Sequence, residues 1–98
     1  MKQLDIWCVI PVYNNAGTVV EMVSRVREFG TGVLVVDDGS TDADVRILLS
    51  SMDDVVVIRH TRNLGKGEAL KTALDYLSRQ EASHMITMDA DGQHNPDD

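Results

Sequence analysis

Four short apolar runs punctuate the chain, at residues 6–12, 33–36, 55–58 and 84–88. They are rich in β-branched residues and do not alternate with polar ones, as in strands buried on both faces of a parallel sheet. Three stretches of helical period lie between them. In the first, Val19, Met22, Val23 and Val26 recur at i, i+3, i+4 and i+7, with Thr18 placed to cap the start and Gly30 and Gly32 to end it. The second carries Val45, Leu48 and Leu49 behind Asp42 as N-cap. The third runs from about residue 66 to 79 and sets Leu70, Ala73, Leu74 and Leu77 on one face. Strand and helix alternate throughout, which predicts an α/β class, doubly wound, mostly parallel sheet. No repeat, linker or low-complexity tract divides the 98 residues, so they make one small domain. Trp7, Tyr13, Phe29 and Tyr76 are the only aromatics, which leaves the core to Val, Ile, Leu and Met.

Polar, small and charged residues gather at four places, each just beyond a predicted strand. They are Pro11-Val12-Tyr13-Asn14-Asn15, Asp37-Asp38-Gly39-Ser40-Thr41-Asp42, Arg62-Asn63-Leu64-Gly65-Lys66-Gly67 and Asp89-Ala90-Asp91-Gly92-Gln93-His94. Ligands of open α/β sheets sit outside the carboxyl ends of the strands. The connections at the opposite ends, 28–32 and 50–54, read as plain turns. One edge of the sheet is therefore the candidate binding edge.

Each cluster also has an ordinary structural use. Asp-Gly followed by Ser-Thr-Asp makes a turn and a helix cap without any ligand. The adjacent pair Asp37-Asp38 exceeds that need, because neighbouring carboxylates repel and a turn uses one. A carboxylate there can accept an N–H from a heterocyclic base. The segment around Lys66 lacks both the Walker A spacing and the third glycine of a dinucleotide fingerprint. It reads either as a flexible turn with a solvated lysine, or as a backbone cradle for phosphate with Lys66 as point charge. Asp89 and Asp91, at i and i+2 of a strand end, point to one side. Hard oxygen ligands at that spacing suit Mg2+ or Mn2+, and Gln93 can add a neutral oxygen. His94 fits a supporting place beside such ligands. His60 and His84 read as core or edge residues, and Trp7 as packing.

The formal net charge is −7, from 16 acids and 9 bases. That balance argues against nucleic acid as a partner. It also means that a diphosphate ligand needs a cation, a basic residue or a helix N-terminus between itself and the protein. Cys8 is the only cysteine, so no internal disulfide forms, and its apolar surroundings make it a buried thiol in a reducing compartment. No secretory leader and no apolar run near ~18 residues is present, which gives a cytoplasmic expectation. The final Asn95-Pro96-Asp97-Asp98 has the form of a helix start with no helix after it, so further chain is expected beyond residue 98.

The ordered set Val9-Ile10-Pro11-Val12-Tyr13-Asn14, Val35-Val36-Asp37-Asp38-Gly39-Ser40-Thr41-Asp42, Asn63-Leu64-Gly65-Lys66-Gly67 and Met88-Asp89-Ala90-Asp91-Gly92-Gln93-His94 resembles the family 2 glycosyltransferases of GT-A fold. The likeness covers essentially the whole chain. Its third and fourth motifs are most similar to the branch of dolichol- and polyprenyl-phosphate sugar transferases. The resemblance implies the donor-binding part of an inverting, metal-dependent enzyme that takes a nucleoside diphosphate sugar, UDP- or GDP-linked. The implied nucleotide-sugar contacts are Pro11, Val12, Tyr13, Asn15, Asp38, Gly65, Lys66, Asp89 and Ala90. Pro11 and Tyr13 would lie against the nucleoside, Asp38 on the base and Lys66 near the diphosphate. Asp89, Asp91 and Gln93 would hold Mg2+ or Mn2+. The acceptor, a polyprenyl phosphate if the branch holds, and the catalytic base would belong to sequence beyond residue 98, so no catalytic residue is assigned within the chain.

The same resemblance implies the Rossmann-like half of the GT-A fold, with strand order 3-2-1-4. The first two helices would cover one face and the third the other, with Pro11 and Tyr13 beside Asp89 and Asp91. The fourth strand would be a partly exposed edge open to self-association, and the parent protein could gather at the inner face of the membrane. A non-catalytic nucleotide-binding module would share these loops and differ only in turnover. A phosphoacceptor receiver domain needs acids after its first strand and a lone aspartate after its third, where Tyr13-Asn14 and Arg62-Asn63 stand. A sugar nucleotidyltransferase needs a glycine-rich loop after the first strand, and that loop is missing here.

Overall fold

The computed structural model describes residues 6–88. Along them run β1 (Ile6–Val12), α1 (Ala16–Arg27), β2 (Gly32–Asp37), α2 (Val45–Leu48), β3 (Val55–Arg59), α3 (Lys66–Arg79) and β4 (His84–Thr87). All pairings are parallel, and the strands lie in the order β3-β2-β1-β4. In register, Val9 stands opposite Leu34 on one side and Thr87 on the other. The doubly wound sheet and its strand order are those expected.

The lack of alternation in β1 and β2 follows from two separate cores. Cys8, Ile10 and Val12 of β1 with Val33 and Val35 of β2 pack on Val19, Val23 and Val26 of α1 and on Val45 and Leu49. The intervening residues Val9, Leu34 and Val36 pack on Ala69, Ala73 and Leu77 of α3. Each fully buried Val or Leu contributes about 1.5–3 kcal/mol, so both faces stabilise the sheet. Two alanines on α3 let the helix lie close to the strands. Trp7 fills the space beside them, edge-on to Tyr76 with ring centroids 6.1 Å apart.

Several local expectations need correction. α1 begins at Ala16 with Asn15 as N-cap, and Thr18 lies inside the first turn, its hydroxyl donating back to the Asn15 carbonyl at 3.2 Å. α2 is capped by Asp44, not Asp42: Asp44 Oδ1 accepts from the N–H groups of Arg46 and Ile47 at 3.0 and 3.3 Å. Asp42 is drawn away to another helix, as described below. Gly32 opens β2, so only Gly30, at φ 80°, turns the chain after α1. Leu74 is 54% exposed, because the buried face of α3 runs Ala69-Ala73-Leu77 and the next residue is turned about 100° from it. At the amino ends of the strands the turns are plain, tied by an exposed Arg27–Asp54 ion pair at 2.9 Å.

Candidate functional site

The loops at the carboxyl ends of β1, β2 and β3 are joined by side chains rather than by packing. Asn14 follows β1 with φ 54°, a left-handed conformation that asparagine tolerates. Its N–H donates to Ser40 Oγ at 2.9 Å. Its Oδ1 accepts from the Thr41 N–H at 2.7 Å and the Asp42 N–H at 3.2 Å. Asp42 answers in the other direction, Oδ2 accepting from the Ala16 N–H at 3.0 Å at the start of α1. The loop after β1 and the loop after β2 are thus clipped together from both sides.

The two aspartates that end β2 do different work. Asp37 Oδ1 accepts from the Ser40 N–H at 3.0 Å and closes the turn locally. Among the described residues Asp37 Oδ2 is buried without a hydrogen-bond partner, with Arg59 Nε 4.0 Å away. Asp38 faces the third loop. Its Oδ1 accepts from His60 Nδ1 at 2.8 Å and the Leu64 N–H at 2.9 Å, and its Oδ2 from the Gly65 N–H at 2.8 Å. His60 Nε2 lies 2.8 Å from Thr72 Oγ1 on α3. Because an ionised carboxylate only accepts, Nδ1 carries the imidazole proton, and in the neutral ring Nε2 receives the Thr72 hydroxyl. Burial pushes the Asp38 carboxyl up. The His60 hydrogen bond, those from Leu64 and Gly65, and the His60 charge outweigh it and hold the group below the usual aspartate range.

Two glycines make the close approach of these loops feasible. A Cβ at Gly39, where φ is 80°, would collide with the main chain of Arg62 and Asn63. Gly65 takes φ 101° as N-cap of α3, which leaves that helix start without a side-chain cap.

The expected contact residues fall as follows. Tyr13 is 47% exposed. Pro11 is half-buried within β1, opposite Val36. The Val12 side chain is buried in the core, and its carbonyl accepts from the Asp38 N–H at 2.8 Å, so only its main chain lies at the edge. Asn15 sits at the N-cap of α1 with no side-chain cap bond. Gly65 and Lys66 begin α3, and Asp38 reaches the former directly. Asp89, Ala90, Asp91 and Gln93 lie outside the described residues. β4 leads to them, and the Met88 N–H extends its pairing by donating to the Val9 carbonyl at 2.9 Å. Among the described residues no group of three His, Cys, Asp or Glu could hold a metal ion. An apolar groove of about 480 Å3, lined by Met22, Val26, Phe29 and Met88 among others, is lined by none of the clamped loop residues.

Sequence reasoning quoted Asn14 and Ser40 only within their clusters, read His60 as a core or edge residue, and passed over Thr72. The position of His60, one residue past β3 at the same end as the other polar clusters, was the available signal.

Residues 7–98 match the family model described as Glycosyl transferase family 2. The chain is 30% identical over 109 residues to the UDP-N-acetylglucosamine–dolichyl-phosphate N-acetylglucosaminyltransferase of Methanococcus voltae, covering 95% of this chain and 43% of that protein. It is 36% identical over 97 residues to the polyprenol monophosphomannose synthase of Mycolicibacterium smegmatis, covering 92% and 36%. An uncharacterized protein of Methanocaldococcus jannaschii is 36% identical over 95 residues, covering 96% and 38%. The chain spans roughly two-fifths of the length of these relatives.

Proposed function

The chain belongs to glycosyl transferase family 2, and we propose that it forms the part of the enzyme that holds a nucleoside diphosphate sugar for inverting transfer to a polyprenyl phosphate. The observation that carries this reading is the clamped edge itself. Three loops at the carboxyl ends of β1, β2 and β3 are fixed to one another through Asn14, Asp42 and Asp38, where an open α/β sheet binds its ligand. Two relatives, one named as a dolichyl-phosphate N-acetylglucosaminyltransferase and one as a polyprenol monophosphomannose synthase, support the acceptor class.

In this reading Pro11 and Tyr13 offer ring surface to the nucleoside and Asp38 accepts from the base. The N–H groups that open α3, which carries no side-chain cap, and the Lys66 charge face the diphosphate. Asp89, Asp91 and Gln93 are an all-oxygen donor set that fits Mg2+ or Mn2+ and would hold it. When bound, such a cation stabilises negative charge on the departing nucleoside diphosphate. β4, which precedes that segment in the sequence, pairs beside β1, the strand that ends at the loop of Tyr13. No residue of this chain is proposed as the base that deprotonates the acceptor. Among the described residues no helix is long and apolar enough to cross a membrane.

Calorimetric titration of the chain with UDP and GDP, each with and without Mn2+, tests the reading. Metal-dependent binding of a nucleotide, lost in Asp91→Ala, is expected. A folded chain that binds neither nucleotide under either condition sinks the proposal.

A further inference from the structure

β3 ends the sheet on the side away from β4, and among the described residues it pairs with β2 alone. The His60 N–H, one residue past the strand, donates to the Asp37 carbonyl at 2.8 Å. Main-chain groups alternate in direction along a strand, so Ile58 and Val56 also face β2, while those of Val57 and Arg59 face outward.

The devices that close such an edge to other chains are missing from its middle. Val55-Val56-Val57-Ile58 holds no charge and no proline. All four are only half-buried, whereas β2 is buried throughout. α2 packs on the same core as Val55 and Val57, and its Ile47 is 68% exposed.

The charges at the two ends of the strand decide what fits this edge. Asp53 and Asp54 precede it, and Arg59 closes it. Asp54 is taken by Arg27. Asp53 is exposed, and among the described residues it has no partner. Arg59 is 44% exposed and stands 4.0 Å from Asp37 without a hydrogen bond. A second copy laid antiparallel sets the acidic start of each strand beside the basic end of the other, and a parallel copy does not. We propose that β3 is an interface between two copies of this chain, joined antiparallel about a two-fold axis so that two four-stranded sheets become one. The proposal does not depend on the donor-binding reading. The β4 edge stays open in such a dimer, so larger assemblies can still grow from it.

Amide exchange followed residue by residue by NMR reads the edge directly. Each copy carries a net charge of −7, so the measurement is made at physiological salt, where repulsion is screened beyond about 8 Å. The Val57 and Arg59 amides should exchange roughly tenfold or more slowly at high chain concentration than at low. Those of Val56 and Ile58, already bonded to β2, should change less. In sedimentation, Asp53→Lys should weaken dimerisation several-fold, and Asp53→Lys with Arg59→Glu should restore it. The two positions lie at opposite ends of one strand, on the order of 15–20 Å apart, so restoration reports a contact between copies. Should Arg59→Glu disturb the fold beside Asp37, Arg59→Gln takes its place. It should weaken the wild-type dimer yet strengthen that of Asp53→Lys, where it removes a repulsion. Exchange at Val57 and Arg59 that ignores concentration overturns the proposal, even in a chain that associates, since the contact then lies elsewhere. Losses that simply add in the double variants overturn the antiparallel arrangement and the interface built on it.

Discussion

At the scale of single residues, Asp38 shows how a buried charge becomes a structural clamp. Its carboxylate is desolvated, which alone would raise its pKa, yet the donors from His60, Leu64 and Gly65 hold it below the ordinary aspartate value of 3.8. The sign of the linkage follows. A depressed folded pKa contributes stability that is complete above the unfolded value and is lost as pH falls through the folded one. Replacing the group strands three donors, two of them main-chain. Asp38→Ala should therefore cost roughly 2–4 kcal/mol in urea denaturation at pH 7. The gap to wild type should begin to narrow below about pH 4, where the unfolded chain takes up the proton, and close only at the lower pH where the folded carboxylate does so. A gap equally wide at pH 7 and pH 3 would show that the loss comes from packing rather than from the charged hydrogen bonds.

Elements matter through the spacing they impose on the loops between them. Gly39 allows the turn leaving β2 to touch the segment that leads into α3. Gly39→Ala combines a strained φ of 80° with a clash against the main chain of Arg62 and Asn63, and should destabilise by about 1–3 kcal/mol and weaken nucleotide binding. Gly17→Ala, in α1 with open space around the added methyl, should be neutral or stabilise by up to about 1 kcal/mol. Equal thermal shifts for the two variants would contradict the clash. The strands and α3 were legible because their signals are local: unbroken Val-rich runs for β2 and β3, and a repeat of apolar positions over four turns for α3. Caps were not, because Asp42 and Asp44 are equivalent to a local rule. The choice is made by the Ala16 N–H, brought to Asp42 from 26 residues away in sequence. The polar clusters marked the candidate binding edge for the same local reason. The clamps within it stayed hidden, since Asn14, His60 and Thr72 acquire meaning only through partners that the sheet order brings beside them.

For the molecule as a whole, the exposed side of the sheet governs behaviour in solution. Among the described residues β4 pairs with β1 alone, and Ile86 on it is 50% exposed. Phe29, 81% exposed, stands at the groove that also includes Met88. An unpaired strand edge beside apolar surface is a template for a second chain. We therefore expect the 10.8 kDa chain to self-associate, its weight-average mass in sedimentation rising with concentration. Ile86→Lys should suppress the rise, because a lysine on the edge disfavours strand addition. Charge alone predicts the reverse, since the substitution lowers the net negative charge of −7 by one and so weakens repulsion between chains. The direction of change thus separates an edge-driven contact from a general loss of solubility. A wild-type chain that stays monomeric at high concentration would remove the edge as an interface. An Ile86→Lys variant that associates more strongly would move the contact to another surface.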